Sequence, residues 1–458
     1  MIEIVYDAAS VGREGDEETI SIPSAQPGWL RNYYFPQALV GDARYRFRRT
    51  SDALGGDGRF IYVMEFTSPF HHKLFADFNG VMPELARFVP TGVLEAVRRG
   101  QATLVLSEAQ EIRPDLRIFD ALGKWMWFFD LVQAMVDAEG LPPKRMWLLE
   151  ANFALQAQFR DWLEARRLAE EEAFVFRALV LFDTTTRQVQ QLLAQGRGLA
   201  VDENDRGNCS FRIRRVGAPV AAGSEVAALK AELASGAVRP KTFLCMNNVP
   251  RNHRKTLVFF LVGRGHAERG LISLNTGPGD IGVEAELLSS ATIDAAVRAG
   301  AEAARGLLPL RLDLAPAEIE GAQWATYGLG ADWPYRSSYI SIVAETYLGK
   351  GRYLTEKLFK PIAKLQPFIV VGPPGTLSLL RARGYRTFDR IIDESYDEIE
   401  DDARRFAAVL EVVDGIAGLS PTEARDLFAA LEEEITHNHR HLLESETDMD
   451  RALREMAA

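Results

Sequence analysis

The sequence predicts an α/β protein of two domains, and three observations carry that expectation. The chain has 458 residues, too many for one simple core, with an ordinary 47% hydrophobic and 26% charged content. Apolar runs rich in Val and Ile alternate with amphipathic helical patterns, the order of a doubly wound sheet. Two segments, 241–263 and 339–375, repeat one plan: a buried strand, a turn, then a helix that opens on basic residues.

Composition excludes several classes. A net charge of −11 disfavours a nucleic-acid partner. Two cysteines, Cys209 and Cys245, make no disulfide framework and suit a reducing compartment. MIEIVYDAAS lacks a basic region followed by an apolar stretch, so no signal peptide is expected, and no apolar run approaches membrane-spanning length. A cytoplasmic protein is expected, in the cytosol or at the inner face of the membrane.

In the first half, Ile2 to Tyr6 and Phe60 to Phe66 read as strands. Between them Arg44, Arg46, Arg48 and Arg49 alternate with Tyr45 and Phe47, as on an exposed edge strand with a solvated basic face. His71 and His72 are adjacent and point to opposite sides of an extended chain, so they make no two-His metal site. Ala102 to Ser107 is a strand, with Glu108 and Glu111 in the loop beyond it. Functional groups in open α/β sheets collect past such carboxyl ends. The bland alternative is two solvated carboxylates. A helix over Phe119 to Glu139 carries Trp125, Trp127 and Phe128 on its early turns. Arg145 to Leu149 is a strand, Asn152 to Ala169 a helix, and Val175 to Phe182 a strand. Gly196 to Gly223 reads as loops with one strand at Ser210 to Val216. Glu225 to Ser235 is a short helix, and the boundary is placed after residue 237.

The second domain, 238–418, opens with a strand at Lys241 to Met246. Asn247-Asn248-Val249-Pro250 is a turn, and Arg251-Asn252-His253-Arg254 enters a helix ending at Gly263. Gly270 to Leu274 is a strand, Ala291 to Leu308 a helix, and Pro309 to Trp333 irregular. Tyr339 to Ala344 and Phe368 to Val371 are buried strands. Thr355 caps a helix starting at Glu356, and Pro361 should kink it. The first turn of a helix suits a phosphate, and Lys357 there adds a full charge. Glu356, an acceptor-only group, could hold a pair of sugar hydroxyls. A capped surface helix is the plain alternative. Leu377 to Arg383 is a helix closed by Gly384, and another runs from about Tyr396 to Val413. The acidic Asp393, Glu394 and Asp397 are assigned no chemistry. Ser420-Pro421-Thr422-Glu423 starts a last helix, within a terminal segment 419–458 packing back on the domains. His437 and His441 share a face of it with His439 between them, but a bare pair lacks the ligands of a closed metal site.

Glu345-Thr346 followed by Thr355-Glu356-Lys357 resembles the signature of the α1,3/α1,4-fucosyltransferases, although that family has an Asn between the Glu and Thr and a slightly shorter loop. NNVPRNHRKTLVFFL, Asn247 to Leu261, is similar to the segment that opens the first helix of that family's donor domain. Thr355 through Arg405 also resembles glycosyltransferase-like proteins of bacterial surface-polysaccharide loci. These segments span about a third of the chain, all in its second half.

The resemblance implies a GT-B fold, two Rossmann-like domains facing across a cleft. It implies an inverting, metal-independent glycosyltransferase with a nucleotide-sugar donor, GDP-linked favoured, and a glycan or surface-polysaccharide acceptor. No cofactor or metal is called for. Arg254 matches the family's phosphate-binding arginine by position, with Arg251 as the alternative. Lys357 is the second phosphate cation, Glu356 the ribose holder, and Glu345 and Thr355 complete the donor pocket. The base would be a first-domain carboxylate, Glu111 or Glu108, with Glu65 weaker because it lies inside its strand. The rival readings are a GT-B scaffold without catalysis and another nucleotide-sugar enzyme, a retaining transferase or an epimerase.

Overall fold

The structure, a computed structural model, describes residues 1–6, 10–15, 17–22, 39, 41–65, 85, 89–108, 117–119, 125–203, 209–283, 285–288, 290–312, 332–349 and 351–458. The chain forms two compact units, 1–219 with 446–458, and 220–445.

Unit 1 contains β1 (Ile2–Tyr6), β2 (Ser10–Glu14), β3 (Glu17–Ile22), β4 (Tyr45–Arg49), β5 (Phe60–Glu65), β6 (Ala102–Glu108), β7 (Arg117–Phe119), β8 (Trp125–Trp127), β9 (Met146–Glu150), β10 (Val175–Ala178), β11 (Arg197–Glu203) and β12 (Cys209–Arg215). Six of these make a parallel sheet in the order β10-β9-β6-β5-β1-β4. Its central strands are apolar on both faces, as Leu104, Val105 and Leu106 of β6 are, because helices cover both sides. The helices include α1 (Thr91–Arg98), α2 (Phe128–Ala138), α3 (Leu155–Arg166) and α4 (Phe182–Ala194). Phe129, Phe159, Trp162, Phe174 and Phe176 pack ring to ring between α2, α3 and the sheet. The helix Asp448–Ala457 completes the unit. Its capping residue pair, Thr447 and Asp450, is buried, and Asp450 accepts from Arg187 and Arg44.

Several sequence expectations for unit 1 are corrected. The helix foreseen over Phe119 to Glu139 begins at Phe128. Trp125-Met126-Trp127 forms β8, antiparallel to β7, because aromatic residues fit a pleated surface better than a helix start. The strand foreseen over Val175 to Phe182 stops at Ala178, and Phe182 opens α4. The region foreseen as mainly loops carries β11 as well as β12, in a second sheet of order β11-β12-β3-β2. β4 is the edge strand expected, but its arginines are engaged: Arg48 and Arg46 both pair with Glu3. His71 and His72 lie outside the described residues.

Unit 2 contains α5 (Ser224–Ser235), β13 (Lys241–Asn247), α6 (Asn252–Gly263), β14 (Gly270–Leu274), α7 (Ala291–Arg305), β15 (Ser338–Ala344), α8 (Glu356–Ala363), β16 (Phe368–Val371), α9 (Asp402–Ala417), α10 (Pro421–Ala430) and α11 (Glu432–Glu444). Its sheet is parallel throughout, in the order β14-β13-β15-β16. The chain leaves β13 toward one edge and β15 toward the other. Right-handed connections therefore send α6 and α8 to opposite faces, and a crevice opens at the carboxyl ends between β13 and β15. The α/β class with two parallel-sheet units is thus what the sequence led one to expect. Several boundaries differ: α7 ends at Arg305 and not at Leu308, the helix foreseen over Leu377 to Arg383 is Thr376–Arg381, α9 begins at Asp402 after a short 3-10 turn at Ser395–Glu398, and the last helix foreseen from Ser420 is broken at Leu431 into α10 and α11. Of the irregular stretch 309–333, residues 313–331 lie outside those described.

Candidate functional site

The crevice between β13 and β15 is built from the connections that follow β13, β15 and β16. The turn after β13 leads into α6, whose cap residue Arg251 makes no side-chain cap bond. Its first-turn N–H groups therefore have no side-chain acceptor there, which is the makings of an anion site. After β15 comes Glu345, fully buried and placed by its own N–H, which donates to Val371 O. Arg254 Nη2 and His253 Nε2 both reach the Glu345 carbonyl oxygen, each at 2.9 Å. A carbonyl only accepts, so His253 carries its proton on Nε2. Burial drops His253 to about 4, and the neighbouring arginine charges act the same way, so the ring is neutral.

The Glu345 side chain joins the two helix starts. Its Oε2 accepts from Thr355 Oγ1 at 2.7 Å, and Thr355 in turn caps α8 by accepting from Lys357 N. Burial raises the Glu345 carboxyl above its ordinary range, although Lys357 and the Thr355 bond pull the other way. Glu356 is also buried. Burial pushes it up, but the ammonium groups of Lys357 and Lys360 outweigh that and hold it below the usual carboxylate range. Lys357 Nζ lies 2.7 Å from Glu356 Oε1 and 3.4 Å from Thr346 Oγ1. Lys360, one turn further on, is lowered to about 8 by burial against the pull of Glu356.

Two buried side chains hold the loops. The Tyr353 hydroxyl accepts from Tyr347 N and donates to Tyr347 O, both at 2.9 Å, and this ties the loop after β15 into a ring. Arg405 of α9 is 2% exposed and donates to the carbonyls of Leu348, Gly372, Ile399 and Glu400. It thereby joins the loops after β15 and β16. A Cβ at Gly349 would fall 1.6 Å from Asp402 Oδ2, so a larger residue there would push that carboxylate away from Arg405. The Arg251 guanidinium stacks 4.7 Å over the Tyr347 ring.

Four buried polar atoms in this crevice have no hydrogen-bond partner: Asn247 Oδ1, Arg251 Nε, Arg254 Nε and Glu345 Oε1. Such groups are uncommon in folded proteins because each forgoes its bonds to water.

The structure thus brings Arg251, Arg254, Glu345, Thr355, Glu356 and Lys357 together. His253, Asn247, Tyr353, Lys360 and Arg405 were not assigned from sequence. His253 and Asn247 stand inside the segment that resembles the donor-domain helix, a usable signal. Arg405 in an amphipathic helix reads as a solvated residue and gave none. In unit 1, Glu108 is the last residue of β6, in register with buried Glu150 of β9, rather than in the following loop. Glu65, expected inside its strand, is the last residue of β5, in register with Ser107. Glu111 lies outside the described residues.

On α11, His437 and His441 bond the carbonyls of Gly384 and Arg383, and His439 meets Glu225 at 3.2 Å. Among the described residues no group of three His, Cys, Asp or Glu is placed to hold a metal ion, and no helix is long and apolar enough to cross a membrane.

No family model and no curated protein matches the chain. Among solved structures it is similar to the crystal structure of alpha,alpha-trehalose 6-phosphate synthase from Burkholderia multivorans, with a TM-score of 0.36 and 10% identity, covering 95% of this chain and 88% of that one. At that level the likeness carries no weight for function.

Proposed function

We propose that the chain is an inverting, metal-independent glycosyltransferase that binds a nucleotide-sugar donor at the β13/β15 crevice. The observation that carries this reading is the set of four unpartnered buried polar atoms lying between two helix starts, with Arg254 at one and Lys357 at the other. Two positive helix termini suit the two phosphates of a nucleoside diphosphate. Glu356, held below its ordinary range, is an ionised acceptor for ribose hydroxyls. Glu345 orders both walls, through its carbonyl on the α6 side and its carboxyl on the α8 side.

In the reaction, the bond from the anomeric carbon to the diphosphate oxygen breaks as the acceptor oxygen bonds to that carbon from the opposite face. Arg254, Lys357 and the α6 N–H groups stabilise the charge that builds on the leaving diphosphate. The acceptor proton passes to a carboxylate of unit 1, Glu111 or Glu108. The fucosyltransferase resemblance favours a GDP-linked donor and a glycan or glycoconjugate acceptor.

A melting-temperature panel of nucleoside diphosphates and nucleotide sugars tests the reading, since a ligand of the folded state raises the midpoint with concentration. A nucleoside diphosphate should stabilise the protein in EDTA, and transfer to an acceptor should persist there. Absence of any nucleotide effect removes the donor site. Nucleotide binding without transfer to any acceptor favours the scaffold reading. Donor turnover with no acceptor and no free sugar released favours an epimerase.

A further inference from the structure

A second cavity lies at the opposite, amino-terminal edge of the unit 1 parallel sheet. It has a volume of about 260 Å³ and is lined by the first residues of β1, β5 and β6, by Arg59 and Arg145, and by Met456 and Ala457 of the last helix. Thr103 Oγ1 donates to Met456 O at 3.0 Å and accepts weakly from Arg145 Nη1 at 3.4 Å. Arg59 donates to a main-chain oxygen of Ala458, the last residue of the structure.

Among the described residues neither guanidinium meets a carboxylate side chain. Glu3 also lines the cavity, but its oxygens are engaged by Arg48 at 2.8 Å and Arg46 at 3.8 Å. Arg145 is lowered from its ordinary value, by burial first and then by the charge of Arg59. The two like charges facing one cavity repel, and an anion bound beside Arg145 and Arg59 offsets that repulsion.

We infer that this cavity is a binding site for a small anion bearing a phosphoryl group, held by Arg59 and Arg145. Forked guanidinium donors match phosphoryl oxygens in geometry and charge. The volume admits a phosphate with a few carbon atoms and is below the usual size for a nucleotide sugar. The site lies away from the carboxyl edge, where α/β sheets place their chemistry, so the ligand acts as an effector. Because Met456 and Ala457 form one wall, binding fastens the terminal helix to the sheet.

The test uses the full chain in phosphate-free buffer, with inorganic phosphate added against chloride at matched ionic strength. Melting and amide hydrogen exchange are followed in the wild type, Arg145→Gln, Arg59→Gln and Lys357→Ala. Phosphate should raise the melting temperature of the wild type and slow exchange across residues 448–457. Both effects should fall by at least half in either arginine variant. Lys357→Ala should keep the terminal-helix protection, which separates this cavity from the proposed nucleotide site. Without phosphate, Arg145→Gln should melt no lower than the wild type. Should Arg145→Gln fail to fold, exposed Arg59 carries the test alone. Equal responses in wild type and arginine variants, or no protection of 448–457, would overturn the inference.

Discussion

Replacing Lys357 by Ala probes the crevice most directly, and the structure sets the size of both expected effects. The Lys357 ammonium pairs with Glu356 at 2.7 Å, the side chains being 28% and 11% exposed. Exposed ion pairs are worth ~0.2–1 kcal/mol, whereas removing one partner of a buried pair costs ~3–5 kcal/mol. This half-sheltered pair falls between, at about 2 kcal/mol. The protein should therefore stay folded and melt several degrees lower. Glu356, left with Lys360 alone, should titrate higher. Loss of one charge-assisted bond to a phosphate removes ~1.5–3 kcal/mol, or roughly 10- to 100-fold in affinity. Calorimetric titration with the best nucleoside diphosphate reads the second effect, and urea unfolding the first. The double variant Glu356→Gln/Lys357→Met should recover part of the lost stability, because no buried carboxylate is orphaned. A folded Lys357→Ala protein that binds the nucleotide as well as the wild type would refute the assignment.

Four further outcomes are expected. Glu111→Gln or Glu108→Gln, whichever replaces the base, should lower turnover by roughly two to four orders of magnitude with donor affinity unchanged; full turnover in both variants excludes both residues. Arg405→Met leaves the buried carbonyls of Leu348 and Gly372 without this donor, and urea unfolding should show a loss of ~2–6 kcal/mol, about 1–3 for each; a loss below about 1 kcal/mol would mean that the loops do not depend on this clamp. His253 is lowered from 6.5 to about 4, so its stabilising contribution is full above 6.5 and is lost as the pH falls through 4. That amounts to about 3 kcal/mol, and the slope between those pH values should flatten in His253→Gln; an unchanged slope assigns it to other groups. Transfer activity should survive chelation, and complete loss restored by manganese or magnesium would contradict the cationic roles of Arg254 and Lys357.

Much of the fold was legible because periodicity reports burial. Tyr339 to Ala344, apolar but for Ser341, and Phe368 to Val371 are strands buried on both faces, and Lys241 to Met246 is a strand buried at its centre, Phe243 to Cys245. Local chemistry was equally plain at helix starts. Thr355 caps α8, and Ser420 with Glu423 forms a capping box, because these bonds span only a few residues. Where two patterns compete, sequence misled. Trp125-Met126-Trp127 fits an amphipathic helix or a strand, and only its pairing with Arg117–Phe119 decides.

The sequence by itself determined the two parallel-sheet units, the helix starts at Asn252 and Glu356, and the basic residues placed on them. These follow from hydrophobic period and capping, which act over a turn or two of chain. Only the tertiary structure decided that the helix starts face one crevice. That follows from the strand order β14-β13-β15-β16, which depends on pairings between residues about a hundred positions apart. It alone made Arg405 a buried clamp instead of a solvated residue, set His253 and Arg254 on one carbonyl, and left Arg59 and Arg145 facing each other's charge. In each case the deciding quantity is a distance in space between groups far apart in sequence, and no local pattern encodes it.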